Sequence, residues 1–380
     1  MDHDRRRVLA SLGASLLPGA AFGRGTPHRP RPGAQPAPLP WADLAPPPPG
    51  TRARFTDLTG VTGDVVPNAD FFVLRHGEQP ELDPATFHVA IGRRGQTPLH
   101  RLSLADLARR PRKRSVVLFE CCGNGGLGMH GLVGAAEWEG VALAPLLEDL
   151  LGPEAREVVF FGADEAEEHL RGNRYPARFA RSLPVADALA PGVLLADSMN
   201  GEALPPEHGG PLRLIVPGWY GVSQVKWLQR IEVWPSRFSG WFQAKDYVTI
   251  RGVPTPAGVV HEATAIGRMR LKSLITRVEP AGGADLTICG LAWSDGTTPI
   301  RTVEVRVDGG AWEAAELLPA RHAHGFRHFR ARWRAPGPGE HRLVARAADA
   351  RGVQPTDADA SRYKATPWEN NGQVIRRIVL

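Results

Sequence analysis

Strict alternation of apolar and polar residues dominates the chain from about residue 262 onward. It is clearest in four runs, residues 286–293, 303–307, 326–333 and 341–347. Successive side chains of a β-strand point to opposite faces of a sheet, and the Asp308-Gly309 pair that follows the second run is a favoured hairpin turn. Three cysteines are too few for a disulfide framework. The sequence therefore predicts an immunoglobulin-like β-sandwich over 262–380 without an internal disulfide.

The first 22 residues have the layout of a cleavable export signal. Arg5, Arg6 and Arg7 precede about fifteen mostly small or apolar residues. A membrane-spanning helix needs roughly 20 such residues, so this run is too short to span a bilayer. Paired arginines followed by apolar residues, with Arg5-Arg6 as the pair, are typical of the twin-arginine route, which exports folded proteins. We therefore expect a periplasmic protein; a basic tail that carries an apolar patch is the alternative.

The middle of the chain predicts a tether followed by an irregular α+β domain. Residues 23–54 contain many prolines and predict a semi-extended tether. Within 55–240, strands are predicted at 116–119, 158–161, 212–216 and 227–234, and helices at 102–108 and 145–151. Because neither regular βαβ alternation nor a GxGxxG motif occurs, a Rossmann fold is excluded. Residues 241–261 are interpreted as the linker to the sandwich.

The formal net charge of +6 does not indicate a nucleic-acid partner. Residues 1–22 contribute +1 and residues 23–50 contribute +2, which leaves +3 for the remainder of the chain. The basic residues are mostly arginines, and they are scattered instead of forming a stripe interleaved with aromatic residues. We expect neither nucleic acid nor a membrane as a partner.

A cysteine pair at the end of a predicted strand is the feature of the chain that most suggests a reactive or metal-binding site. Phe119-Glu120-Cys121-Cys122-Gly123-Asn124 leads from that strand into a glycine-rich loop, where the backbone can approach a ligand closely. A thiolate here could ligate a soft metal or act as a nucleophile, and a buried structural cysteine fits the pattern equally well. No CxxC or CxxCH motif occurs, so zinc ribbons, iron–sulfur clusters and a haem in this chain are disfavoured.

Several further stretches, read together with the cysteine loop, carry a family resemblance. They are residues 134–141, 200–213, 216–222 and 225–228, and, in the C-terminal half, 292–294, 307–310 and 336–339. In these stretches the chain resembles the sulfite oxidase family of molybdenum–molybdopterin oxidoreductases, over nearly its whole length beyond the tether. The resemblance implies a mixed α/β molybdopterin domain at 55–240, followed by an immunoglobulin-like domain that forms a homodimer.

The resemblance also implies a molybdopterin cofactor whose molybdenum is ligated by a protein cysteine. Cys121 matches that metal ligand. Six further residues match positions at the cofactor, namely His76, Asp164, His208, Arg213, Ser223 and Lys226. The remaining catalytic candidates match positions around the substrate, namely Arg75, Trp138 and Asp197. For Trp138, an ordinary core position is an equally open alternative.

The implied reaction is oxygen-atom transfer that oxidises sulfite, or a related small sulfur anion, to sulfate. The electrons would then leave one at a time to an external c-type cytochrome. The chain departs from the family pattern at the pocket: Leu74, Ser223 and Gly125-Gly126 stand where relatives carry arginines, and Asp197 replaces a tyrosine. Two alternatives remain open, a molybdopterin reductase of S-oxides or N-oxides such as methionine sulfoxide, and a non-catalytic exported immunoglobulin-like binding protein.

Overall fold

The computed structural model describes residues 37–43, 53–125 and 130–380, which form mostly β-structure with few helices. The predicted export signal (1–22) and most of the predicted tether (23–54) lie outside the described residues. In the described part of the chain, no helix is both long enough and apolar enough to cross a membrane.

The described residues up to 234 contain ten strands arranged in two sheets. In chain order, the strands are β1 (His88–Arg93), β2 (His100–Ser103), β3 (Arg112–Glu120), β4 (Val133–Ala142), β5 (Glu157–Leu170), β6 (Asn173–Pro184), β7 (Leu194–Met199), β8 (Glu202–Ala203), β9 (Arg213–Ile215) and β10 (Leu228–Trp234). One sheet has the order β2-β1-β10-β5-β6, and the other has the order β3-β4-β7-β8 with β9 paired to β7. β1 and β10 run parallel, whereas the other neighbours are antiparallel. This topology agrees with the exclusion of a Rossmann fold.

The strands predicted in this half of the chain are confirmed as β3, β5, β9 and β10. Along β3, the first four residues are exposed or half-buried, whereas the last five, from Val116 to Glu120, are buried. The buried half packs with β4 and β7 into one apolar core, to which Val117, Ala135 and Met199 belong. β3 therefore ends inside the protein, and the chain continues from there into Cys121.

Short helices and 3₁₀ turns connect the strands. Within the described residues, the helices are α1 (Leu104–Ala108), α2 (Val185–Ala188), α3 (Trp241–Ala244) and α4 (Asp357–Ser361). The helix predicted at 102–108 begins only at Leu104, because Ser103 caps it: the Ser103 hydroxyl accepts from the Asp106 amide, and the Asp106 carboxylate accepts from the Ser103 amide. The segment predicted as a helix at 145–151 instead forms two 3₁₀ turns, Ala144–Leu146 and Glu148–Leu150.

The second half begins with a hairpin and continues as two sheets. The segment predicted as a linker, 241–261, contains α3 and most of the hairpin of β11 (Val248–Thr255) and β12 (Gly258–Ala265). The strands that follow are β13 (Lys272–Gly282), β14 (Asp285–Trp293), β15 (Thr302–Val307), β16 (Glu313–Ala314), β17 (Glu316–Leu317), β18 (Arg327–Trp333), β19 (Glu340–Asp349), β20 (Gly352–Val353) and β21 (Ile375–Val379). Their sheet orders are β13-β14-β18-β17 and β16-β15-β19-β20, with β21 on β19.

The four alternating runs of the sequence are confirmed as the strands β14, β15, β18 and β19. Their inward-facing residues come from both sheets and share one apolar core, to which Ile288, Val303, Phe329 and Leu343 belong. Alternation in the sequence thus corresponds to one buried face on each sheet.

The two halves of the chain meet at the buried end of β3. The Leu118 amide donates a hydrogen bond to the His324 carbonyl (2.7 Å). From the segment after α4, the Glu369 amide donates to the Cys122 carbonyl (2.7 Å). Both halves therefore position the loop that carries the cysteine pair.

Candidate active site

A pocket of about 730 Å³ lies beside the end of β3, with Cys121 and Cys122 in its wall. Most of the residues that the sequence singled out line it, namely Arg75, His76, Cys121, Asp164, His208, Arg213 and Lys226. Aromatic side chains form much of the remaining wall, namely Phe71, Phe72, Phe119, Phe179 and Tyr247. The fold thus gathers cations, a thiol pair and aromatic rings from distant segments into one cavity.

A tight turn fixes Cys121 in the pocket wall. The Cys121 amide donates to the Leu132 carbonyl (2.8 Å), and the Asn124 amide donates to the Cys121 carbonyl (2.9 Å). The buried Asn124 side chain joins both ends of the loop, because it donates to Glu120 Oε1 (2.9 Å) and accepts from the Leu132 amide (3.0 Å). The backbone on either side of Cys121 is therefore held by hydrogen bonds within the protein.

The two adjacent cysteines differ in their acidity. A hydrogen bond from the Cys122 thiol lowers the pKa of Cys121, while burial raises the pKa of Cys122 well above its ordinary value. Cys121 is therefore the more acidic thiol of the pair, and Cys122 is its hydrogen-bond donor. A thiolate, not a thiol, is the form that ligates a soft metal.

A buried ion pair lies directly behind Cys121. Lys272 Nζ, on β13, donates to Glu120 Oε1 (2.8 Å) and to the Asn124 carbonyl (3.3 Å), and both charged side chains are 2% exposed. Trp293 Nε1, on β14, donates to Glu120 Oε2 (2.9 Å). Because both oxygens of Glu120 have partners, this carboxylate anchors the start of the cysteine loop to the second half of the chain.

Arg213 is a buried cation whose hydrogen bonds go to uncharged groups. Its Nη1 donates to the His208 carbonyl (2.7 Å) and its Nη2 to the Gln224 carbonyl (3.0 Å), while Nε has no partner among the described residues. The guanidinium also lies over the Phe119 ring, 5.0 Å from its centroid. Burial lowers the pKa of Arg213 to about 9. An uncompensated buried charge is unfavourable, so Arg213 marks an end of the pocket suited to an anion.

Lys226 is the second buried cation at this end. Its Nζ donates to the carbonyls of Leu74 and Glu207 (3.1 Å each), and burial lowers its pKa to about 7. Gly209 has a φ of +102°, and a Cβ at this position would lie 2.8 Å from the Lys226 Cβ. Glycine therefore permits both the backbone conformation and the close approach of the lysine stem. His208 Nε2 meets the Asn68 carbonyl (3.0 Å), and burial lowers the pKa of His208 to about 4, which keeps it neutral.

Buried polar atoms without partners indicate room for a bound group. Among the described residues, Asp164 Oδ1, Arg213 Nε and Ser223 Oγ have no hydrogen-bond partner. Ser223 itself does not line the pocket, but both of its neighbours do. Burial raises the pKa of Asp164 to about 6 and lowers that of His76 to about 4. An organic anion with both donors and acceptors would satisfy these atoms.

Two of the predicted catalytic residues lie outside the pocket. Trp138 is fully buried in the core, where its indole N–H donates to the Val117 carbonyl (3.1 Å) and its ring lies 4.8 Å from the Arg213 guanidinium. The Asp197 carboxylate accepts a hydrogen bond from Arg112 Nη1 (2.7 Å), and the two side chains form an ion pair. Neither residue lines the pocket. Arg75 does line the pocket, with its guanidinium 3.5 Å from Glu78.

Comparisons with known proteins agree with this geometry. Residues 76–242 match the family model described as the oxidoreductase molybdopterin binding domain. The sulfite oxidase of Gallus gallus is 31% identical over 322 residues, which cover 77% of this chain and 68% of that protein. The chain belongs to the sulfite oxidase family of molybdenum-dependent oxidoreductases.

Other members of the sulfite oxidase family differ in length. The mitochondrial sulfite oxidase of Macaca fascicularis is 34% identical over 275 residues, covering 67% of this chain and 49% of that protein, so the chain spans about half the length of such relatives. A solved structure, the sulfane dehydrogenase SoxCD from Paracoccus pantotrophus, matches with a TM-score of 0.74 and 27% identity over 95% of this chain and 96% of that chain.

Membership of the sulfite oxidase family supports a molybdenum–molybdopterin cofactor, because the matched model is described as a molybdopterin binding domain. The residues present fit that group. Cys121 would ligate molybdenum through its sulfur, and Arg213 and Lys226 would donate hydrogen bonds to an anionic cofactor. The unpartnered atoms of Asp164 and Ser223 provide further places for hydrogen bonds.

The sequence did not reveal the contributions that lie far along the chain from Cys121. Lys272 pairs with Glu120, Trp368 packs so close that a Cβ placed on Gly123 would lie 3.1 Å from its ring, and Tyr247 lines the pocket. Lys272 begins a strand that also carries Arg277 and Glu279, so no local signal in the sequence marks it as buried. No local pattern separates Trp368 or Tyr247 from ordinary core aromatics.

Proposed function

We propose that the chain is a periplasmic molybdopterin oxidoreductase that oxidises sulfite, or a related small sulfur anion, to sulfate by oxygen-atom transfer. In this proposal it is exported by the twin-arginine route, passes electrons to a c-type cytochrome and forms a homodimer through an immunoglobulin-like sandwich at 262–380. The observation that carries the proposal is the presence, in one pocket, of the Cys121 thiol, whose pKa is lowered, and of the buried cations Arg213 and Lys226. These two cations hydrogen-bond only to carbonyls among the described residues.

Different residues of the pocket would bind the phosphate of the cofactor and its molybdenum. Arg213 and Lys226 would bind the phosphate of the cofactor through charge-assisted hydrogen bonds, and the bound anion would keep Lys226 protonated. Cys121 would ligate the molybdenum. When bound, the cofactor supplies the oxygen-atom transfer and accepts two electrons. The rings of Phe71 and Phe119 would exclude water, which strengthens the electrostatic interactions inside the pocket.

Sulfite is the first candidate substrate. Two relatives that are 34% and 31% identical to this chain carry the name sulfite oxidase. Arg75 lines the same cavity and remains 30% exposed in its side chain, so it can meet an anion that enters. Arg75 would substitute, by a shift of one residue, for the arginine that relatives carry at the position of Leu74.

Sulfane sulfur is the second candidate, and the aromatic wall favours it. Phe72, Phe119, Phe179 and Tyr247 surround the thiol pair, and such a wall suits a less hydrated sulfur group better than a free dianion. The solved structure that matches 95% of the chain is named a sulfane dehydrogenase. Reduction of S-oxides or N-oxides would use the same pocket in the opposite direction.

A metal and substrate analysis of Cys121→Ser tests the proposal. Cys289→Ser is the matched control, because Cys289 is a buried cysteine on β14, remote from the pocket. After expression with the cofactor maturation machinery, we expect stoichiometric molybdenum by mass spectrometry in the wild-type chain and in Cys289→Ser, and its loss in Cys121→Ser. Sulfite-dependent reduction of a c-type cytochrome should likewise be present in the wild-type chain and in Cys289→Ser, and absent in Cys121→Ser.

The possible results separate the candidate functions. Fully metallated protein that oxidises a thiol-bound sulfane but not sulfite would select the second candidate. Metallated protein that reduces methionine sulfoxide with a reduced dye, and oxidises neither sulfur compound, would show that the direction is wrong. Wild-type chain without metal would favour the non-catalytic immunoglobulin-like binding protein.

Export can be tested separately from catalysis. Replacing Arg5 and Arg6 by lysine should retain the full-length protein in the cytoplasm of a host that has the twin-arginine route, whereas Arg7→Lys should not. Cell fractionation with immunodetection measures both. Equal export of the two variants would refute the twin-arginine assignment, and light scattering of the exported protein tests the homodimer.

A further inference from the structure

Tyr247 is a buried phenol at the end of the pocket that carries the cysteine pair. It lies between α3 and β11, is 7% exposed and lines the same cavity as Cys121 and Cys122. The Ile266 amide donates to the Tyr247 carbonyl (3.1 Å), and the Trp368 ring lies 5.3 Å from the Tyr247 ring. The hydroxyl is therefore held in place within the cavity wall.

His76 fixes the direction of this hydroxyl. His76 Nε2 and the Tyr247 hydroxyl form a hydrogen bond, with the two rings nearly perpendicular at a centroid distance of 5.2 Å. Since burial keeps the imidazole neutral, it carries one N–H. When Nε2–H donates to the phenolic oxygen, the O–H of Tyr247 is left to donate to another acceptor.

Other groups near the thiol pair are less suited to bind an oxygen atom of a substrate. The Cys122 thiol donates to Cys121, and Phe72, Phe119 and Phe179 present only carbon. Burial and the nearby thiols raise the pKa of Tyr247 well above its ordinary value, so the phenol keeps its proton at neutral pH. It can therefore act as a donor and not as a base.

We infer that the Tyr247 hydroxyl donates a hydrogen bond to an oxygen of the sulfur oxyanion beside Cys121, with His76 holding its orientation. No proton transfer is involved, because the phenol keeps its proton throughout. The inference rests on the proposed function, since it names the group that would contact that substrate or its product, sulfate. It makes Tyr247 a catalytic residue and His76 its positioning residue.

Tyr247→Phe tests the inference, and Tyr220→Phe is the matched control. Tyr220 is also a buried phenol, but it lies outside the pocket and its oxygen accepts from the Arg270 amide (3.4 Å). In the metallated full-length chain, we expect Tyr247→Phe to retain its molybdenum, to bind sulfate at least about 10-fold more weakly in calorimetric titration, and to lose about 100-fold in kcat/KM for sulfite. Tyr220→Phe should change none of the three.

The sulfate titration separates this inference from the proposed function. If the wild-type chain oxidises sulfite and Tyr247→Phe matches it in sulfate affinity and kcat/KM, the inference is wrong while the function stands. If sulfite is not oxidised but sulfate binding still depends on Tyr247, the function is wrong and the oxyanion contact stands. Loss of molybdenum from Tyr247→Phe would assign the phenol to the cofactor and overturn the inference.

A measurement on the unaltered tyrosine covers the case in which Tyr247→Phe does not fold. The chain contains four tyrosines, of which Tyr247 alone lines the pocket in the described residues. Sulfate should therefore produce the same tyrosine difference spectrum in the near ultraviolet in the wild-type chain and in Tyr220→Phe. No difference spectrum at saturating sulfate would overturn the inference.

Discussion

Replacing Lys272 by methionine would leave the Glu120 carboxylate buried without its cation. The ammonium group donates to Glu120 Oε1 (2.8 Å) and to the Asn124 carbonyl (3.3 Å), and methionine keeps only the apolar stem. The Asn124 side chain and the Trp293 indole would still donate to the two carboxylate oxygens. The principal loss is therefore the opposite charge and not the hydrogen-bond count of the carboxylate.

The expected loss of stability follows from that geometry. Removing one partner of a buried ion pair destabilises a protein by about 3–5 kcal/mol. Because two donors to Glu120 remain, we expect Lys272→Met to lower the free energy of unfolding by about 3 kcal/mol, the lower end of this range. The double variant Glu120→Gln/Lys272→Met also removes the carboxylate charge, while the glutamine oxygen can still accept a hydrogen bond. Because replacing both charges avoids an unpaired buried ion, we expect it to recover about 2 kcal/mol of the loss.

Urea unfolding measured by tryptophan fluorescence gives the free energy of unfolding, and molybdenum content reports on the cysteine loop. Arg330→Met is the control, because it removes an ion pair with Glu316 (2.7 Å) in which both side chains are more than half exposed. Such an exposed pair contributes little to the free energy of unfolding. The reasoning is refuted if Lys272→Met is as stable as Arg330→Met, or if the double variant is less stable than Lys272→Met.

Three further predictions concern residues around the pocket. Asp197→Asn should leave kcat/KM for sulfite unchanged and lower the free energy of unfolding by about 1.5 kcal/mol, because its ion pair with Arg112 is structural; a large loss of kcat in metallated protein would return Asp197 to the active site. Gly209→Ala should destabilise by about 1–2 kcal/mol in urea unfolding, because of its positive φ and the approach of Lys226; wild-type stability would contradict that strain. Sulfate affinity of the cofactor-free full-length chain should fall as pH rises through about 7, since Lys226, whose pKa burial lowers to about 7, then loses its proton. Calorimetry should show no such dependence in Lys226→Met, and an identical pH profile in both proteins would assign it to another group.

Local sequence patterns correctly predicted strands, because the burial of alternate residues in a strand is visible among neighbouring residues. The alternating runs became β14, β15, β18 and β19, because alternation itself defines which face of a strand is buried. The positions of Trp138 and Asp197 outside the pocket have a different origin. A position in a motif does not specify which face of β4 or β7 a side chain occupies, and successive residues of a strand face opposite ways.

The second half of the chain was predicted as a sandwich but not as a part of the active site. Glu120 and Lys272 are 152 positions apart, so no local window could show that they form an ion pair. The same holds for Tyr247 and His76, which are 171 positions apart. The residues of the cysteine loop can be recognised in the sequence. The residues that hold this loop in place cannot, because their contacts depend on how distant elements pack.

These supporting contacts show why the second half cannot be treated as a module attached to a complete site. Lys272 holds the Glu120 carboxylate on one side of Cys121, and the Glu369 amide donates to the Cys122 carbonyl on the other side (2.7 Å). Trp368 packs against Gly123 of the same turn. Because packed interiors and buried ion pairs tolerate little displacement, a shift of the second half would be transmitted to the backbone of Cys121. The geometry of the predicted metal ligand is thus set jointly by both halves of the chain.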